Sequence, residues 1–170
     1  MENDMKRILL SAALAVLASC PVQAENLSHE AGLEVYDAAL KSYSCVDYDK
    51  ALRMFKENAE KGHALSQYMT GVMLSAGQGA AEDDKAAFDW FTRAAKQNLS
   101  DAYFALGDMY SKGEGVPKDM AQSLFWFQLA AKGGHNLAKD MIDSIAPNLQ
   151  PAQLEQVRRL LAEWPAKGGR

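Results

Sequence analysis

Residues able to do chemistry are sparse in this chain. Its histidines are His29, His63 and His135, and its cysteines are Cys20 and Cys45. No HExxH, CxxC, Ser-x-x-Lys or Gly-x-Ser-x-Gly arrangement occurs, so the spacing for a zinc site, a thiol pair or a serine nucleophile is missing. Two triplets, Gly77-Gln-Gly79 and Gly113-Glu-Gly115, have the composition of a phosphate-cradling loop. Neither follows a strand or carries the Lys-Ser/Thr pair of a P-loop, so each is expected to supply positive φ to a tight turn between helices. The formal net charge is −4, with no basic run, which argues against nucleic acid as a partner. Metal, cofactor and catalysis are all unexpected.

What these residues share is a period. The triplets lie 36 residues apart, and His63 and His135 lie twice that distance apart. Laying 100–135 over 64–99 without a gap matches Gly107 to Gly71 and Met109 to Met73. It also matches Asp119 to Asp83, Trp126-Phe127 to Trp90-Phe91, and Ala130-Ala131 to Ala94-Ala95. A period of this length marks a solenoid, in which each unit buries its apolar face only by stacking on the next.

Composition agrees with an all-helical chain: Ala, Leu, Met and aromatics are plentiful, and Pro is confined to segment ends. Helices are predicted over about 64–75, 83–97, 100–111 and 119–132. Asp83 and Asp119 are the expected caps. Subtracting the period from Asp83, Ala87, Phe91 and Ala95 gives Asp47, Ala51, Phe55 and Ala59, so a degenerate pair precedes the clear units over 26–63, its first helix capped by Ser28. Ala138 and Ile142 continue the register into a partial unit, 136–146. In 151–164, Leu154, Val157, Leu160, Leu161 and Trp164 form one stripe, the pattern of a closing amphipathic helix. Gly71 and Gly107, mid-helix at a cost of about 1 kcal/mol each, are predicted to let the paired helix approach closely. Trp90, Phe91, Trp126 and Phe127 are expected to fill the space between units.

The second unit, from Ala102-Tyr-Phe-Ala-Leu-Gly-Asp-Met-Tyr110 through Gly113-Glu-Gly-Val-Pro-Lys-Asp119 and Trp126-Phe-Gln-Leu-Ala-Ala131 to Gly134-His135, resembles the Sel-one-like repeat (SLR), a relative of the tetratricopeptide repeat. The resemblance spans roughly 46–146 and implies a right-handed α-solenoid of about eight helices. The first full unit departs from the pattern. Ala80-Ala81-Glu82 replaces Val-Pro-Lys, Thr70 stands where the second unit has Leu106, and Asn98-Leu99 replaces Gly-His. Some relatives carry a cysteine pair in each repeat. This chain does not, so its stability must come from packing.

The N-terminus reads as an export signal. Lys6-Arg7 precedes an apolar run from Ile8 to Ala18, too short to anchor in a bilayer, and Val22-Gln-Ala24 is a small-x-small cleavage site. Cleavage after Ala24, removing 1–24, would release the protein into the periplasm or beyond. Leu17-Ala-Ser-Cys20 also resembles a lipobox, in which Cys20 would be lipidated and tie the chain to a membrane. Cys45 precedes a helix start and is expected to be a packed residue.

On the first helix of each unit, positions 67, 70, 71 and 74, with 103, 106, 107 and 110, should face the paired helix. The opposite side carries Tyr68 and Val72, Phe104 and Asp108, then Asp140. In tetratricopeptide-like solenoids that side lines the concave face. There Tyr68 and Phe104 would be anchors beside Val72, edged by Asp108 and Asp140, for a peptide or helix with basic and apolar residues. The expected function is that of a monomeric, non-enzymatic adaptor holding an unknown protein or peptide in the cell envelope. A lipid-anchored component of an exopolysaccharide-export assembly is the second reading. An enzyme acting on β-lactams or cell-wall fragments is the third, suggested only by cysteine-rich relatives.

Overall fold

A computed structural model of the protein describes residues 29–44 and 47–164. The export segment 1–24, Cys20, the Ser28 cap and Cys45 lie outside the described residues. Among the described residues eight α-helices follow one another: α1 His29–Ser44, α2 Tyr48–Glu60, α3 Ala64–Ser75, α4 Asp84–Ala95, α5 Ser100–Lys112, α6 Met120–Lys132, α7 Ala138–Ile145 and α8 Pro151–Glu163. A short 3-10 turn, Ala146–Asn148, joins the last two. From α2 onward each helix packs mainly on its sequence neighbours, and α8 returns to lie on α6. The chain is an all-α solenoid of helix pairs.

Each second helix starts on an aspartate in the same register. Asp47 accepts a hydrogen bond from the Lys50 N–H at 3.2 Å, and Asp83 from Ala86 at 2.9 Å. Asp119 accepts from Ala121 and Gln122 at 2.9 and 3.1 Å. Each cap is worth about 1 kcal/mol.

The loop before it is equally regular. Asp83 donates its N–H to the Leu74 carbonyl and Asp119 to that of Tyr110, both at 3.0 Å. Thus Ala80-Ala81-Glu82 folds as Val-Pro-Lys does. Gly115, at φ +69°, has a second reason to be glycine: a Cβ there would strike the Asp84 carbonyl of the preceding unit. The turn that closes each pair is left-handed at Gly62, Asn98 and Gly134. Asparagine is the residue other than glycine that best tolerates this conformation, and Asn98 adds a bond by accepting the Tyr103 hydroxyl at 3.0 Å.

The mid-helix glycines are sites of close approach. A Cβ on Gly71 would lie 2.6 Å from the Phe91 ring, and one on Gly107 would lie 2.8 Å from the Phe127 ring. Ser123 Oγ donates to the Gly107 carbonyl at 2.7 Å, joining α6 to α5 at the same point. Thr70 is fully buried and turns its hydroxyl back to the Ser66 carbonyl at 2.8 Å, so its polarity is satisfied within α3.

The aromatic residues expected between units work mostly within them. Phe91 and Phe127 pack on their own unit's first helix because the glycines leave room there. Phe91 also belongs to the buried cluster that continues into the next unit through Leu106 and Met109. Trp126 lies on Tyr103, ring centroids 5.9 Å apart, and is covered by Trp164, the residue just past α8, at 5.0 Å. Val157 of α8 is buried against the same core.

Candidate partner-binding face

Two-sidedness in the first helices follows from a 3.6-residue turn. On α3, Gln67, Thr70 and Gly71 are buried toward α4, and on α5, Tyr103, Leu106 and Gly107 are buried toward α6. On the opposite side Tyr68, Val72, Ser75, Phe104, Asp101 and Asp108 are half-buried, while Leu137, Asp140 and Ser144 at the α7 end are exposed.

The two expected anchors are held more firmly than the sequence implied. Tyr68 lies against Phe91, centroids 5.7 Å apart, and Phe104 against Phe127 at 5.1 Å. Tyr36 of α1 makes the same contact with Phe55 at 5.6 Å, so one aromatic from each first helix rests on a phenylalanine of its partner. Histidines complete two of these stacks. His63 meets Tyr36 at 5.4 Å, and His135 lies nearly parallel on Phe104 at 4.1 Å. Burial pushes the Tyr68 phenol above the usual tyrosine range, and the Asp101 carboxylate adds to this.

This packing sets a measurable consequence. Phe104→Ala should cost about 2 kcal/mol or more in urea unfolding, since a fully buried Phe→Ala costs about 3–5 kcal/mol. An unchanged midpoint would mean that the ring contributes nothing to the stack. Val72, Asp108 and Asp140 are therefore the cleaner probes of binding.

His63 serves as the cap of α3, its Nδ1 accepting from the Ser66 N–H at 3.3 Å. His135 sits 3.7 Å from Asp101 through Nε2. Among the described residues, no group of three or more His, Cys, Asp or Glu is placed to hold a metal ion.

Beside the strip, a cleft of about 310 Å³ opens between α3–α4 and α5. Phe91 and Met109, both buried, line it together with Ser75, Glu82, Asp84, Asp108, Lys112 and Glu114. Lys112 Nζ donates to Asp108 at 2.6 Å and lies 3.8 Å from Glu114. The bond to Asp108 raises the Lys112 ammonium above the ordinary lysine range, against the opposing effect of desolvation.

Of these, Asp108 is the one that the sequence marks as a binding residue. The missing signal was a difference between units. Subtracting 36 from Asp84, Asp108, Lys112 and Glu114 gives Tyr48, Val72, Ala76 and Gln78. One unit earlier the Tyr43 and Tyr48 rings lie 5.2 Å apart, and the Tyr43 hydroxyl donates to Gln78 at 3.1 Å.

Comparison with known proteins places this geometry. The model of the Sel1 repeat family matches residues 46–63, 64–99 and 100–135. A protective antigen of uropathogenic Escherichia coli with an SLR fold superposes with a TM-score of 0.73 at 28% identity, covering 76% of this chain and 29% of that one. A Sel1 repeat protein from Oxalobacter formigenes gives 0.53 at 30% identity, covering 55% and 38%. An exopolysaccharide production negative regulator from Rhizobium leguminosarum bv. viciae is 28% identical over 95 residues, 53% of this chain and 36% of its own. The chain thus spans well under half the length of each.

Proposed function

Because this chain belongs to the Sel1 repeat family, in whose repeats protein interaction is the general role, we propose that it is a non-catalytic scaffold that holds a protein or peptide partner in the bacterial cell envelope. The observation that carries this reading is the contrast between the two sides of α3 and α5. One side is closed against the paired helices. The other keeps Val72, Asp101, Asp108 and the cleft open to solvent beside a half-buried aromatic strip. A rigid apolar strip with an acidic border suits a partner segment carrying basic and apolar residues.

Envelope placement is supported by the signal-like sequence at 1–24. An intact mass beginning at Glu25 would mean a soluble periplasmic protein, and an acylated species beginning at Cys20 a membrane-bound one. The second outcome would favour a structural role in an exopolysaccharide assembly; the Rhizobium relative is a negative regulator of exopolysaccharide production.

Capture from envelope extracts, compared between wild type and Asp108→Lys, tests the binding face. The reversed charge should slow association about tenfold at low salt, with the difference fading as salt rises. Capture unaffected by this change at any salt would place the partner elsewhere.

A further inference from the structure

The cleft between α3–α4 and α5 is a place where the repeat is broken in a directed way. The structural positions around it recur unit to unit, from the capping aspartates to the mid-helix glycines and the phenylalanine rings against them. The positions lining its mouth do not recur. One unit earlier the counterparts of Glu82, Asp84, Asp108, Lys112 and Glu114 in the sequence are Val46, Tyr48, Val72, Ala76 and Gln78, with no ionised group among them, and the Tyr43 and Tyr48 rings lie on that side. Here four carboxylates, Glu82, Asp84, Asp108 and Glu114, line the cleft together with the buried Phe91 and Met109, and Lys112 is the one cation among the lining residues.

The chemistry that such a shape accepts is narrow. A volume of about 310 Å³ lies at the lower limit of small-molecule pockets and is ample to admit one long side chain. Carboxylates around a cleft partly floored by the buried Phe91 and Met109 suit a side chain with a cationic end, whose aliphatic stem lies along the cleft while its charge stays at the surface. Lys112 already shows that an ammonium is held at this rim, 2.6 Å from Asp108. Its side chain is half exposed, so it can leave at small cost.

We infer that this cleft receives a lysine or arginine side chain from the bound partner segment, with Lys112 yielding Asp108 to the incoming charge. The inference rests on the reading that the open face of α3 and α5 binds a protein.

An acetylated Gly-Leu-Lys-Leu-Gly amide, and its counterpart with norleucine in place of lysine, are the probes, and the ¹³C-labelled methyl of Met109 is the reporter. The lysine peptide should shift that methyl in a saturable way, on the order of tenfold more tightly than the norleucine peptide. Lys112→Ala should tighten lysine-peptide binding roughly two- to fivefold by freeing Asp108. Lys96→Ala, on exposed surface past α4 and equal in charge change, should leave binding as it was. Equal shifts from both peptides, no shift from either, or equal tightening by Lys96→Ala would each overturn the inference. If the peptides perturb Val72 and Tyr68 but not Met109, the binding face stands and the cleft assignment falls.

Discussion

Gly107→Leu unfolds at a lower urea concentration than wild type, with a loss of about 1–3 kcal/mol, although leucine is the better helix former by nearly 1 kcal/mol. The sign is reversed by packing. A Cβ at 107 already lies 2.8 Å from the Phe127 ring, and Ser123 ties the two helices together at the Gly107 carbonyl. Leucine therefore cannot fit without moving α6 away or turning Phe127 off its rotamer. Shrinking the opposing ring should recover part of the loss: Gly107→Ala with Phe127→Leu should be less damaging than the sum of the single changes. Equal or greater stability for Gly107→Leu, measured at constant m-value, would remove the close-packing explanation of both repeated glycines.

Ending the chain before Pro151 has the larger effect. α8 buries Val157, and Trp164 beyond it lies against Trp126, Tyr103 and Phe125 at 5.0–6.3 Å. Without them the outer side of α6 faces water with its aromatic residues uncovered. In a solenoid the terminal element closes an edge that no further unit covers, so its loss weakens the neighbouring unit and invites association. The shortened chain should lose several kcal/mol, on the scale of a buried Trp→Ala at about 3–5 kcal/mol, and should elute as larger species on size exclusion. A monomer with an unchanged melting temperature would show that α6 needs no cover.

How much of this was legible follows from what a period reveals. Gly71 and Gly107 announced themselves because a costly residue recurred at one register. Asp47, Asp83 and Asp119 did so because the helix start recurred with them. Asn98 hid its left-handed turn behind a substitution, and only its place between Gly62 and Gly134 gives it away. Tyr36 escaped because the first inter-helix loop is short, so its match to Tyr68 needs an offset of 32 residues in place of 36. The stacking of His135 on Phe104 was invisible for a different reason. The register marks both as repeat positions but says nothing of which ring covers which. The cleft was hardest to see, since its charged residues are those that fail to repeat, and an alignment of units discards them.

If a partner is held on the open side of the first helices, crosslinking from defined positions on that side captures it. A photoreactive phenylalanine analogue is placed at Val72 or at Asp108, and for comparison at Asp89 or at Lys96 on the exposed part of the second helix and its end. Irradiation in envelope extracts should give one discrete adduct from 72 and 108 and none from 89 and 96. Adducts of equal yield from all four positions, or from 89 and 96 alone, would mean that the partner is not held on the open side of α3 and α5.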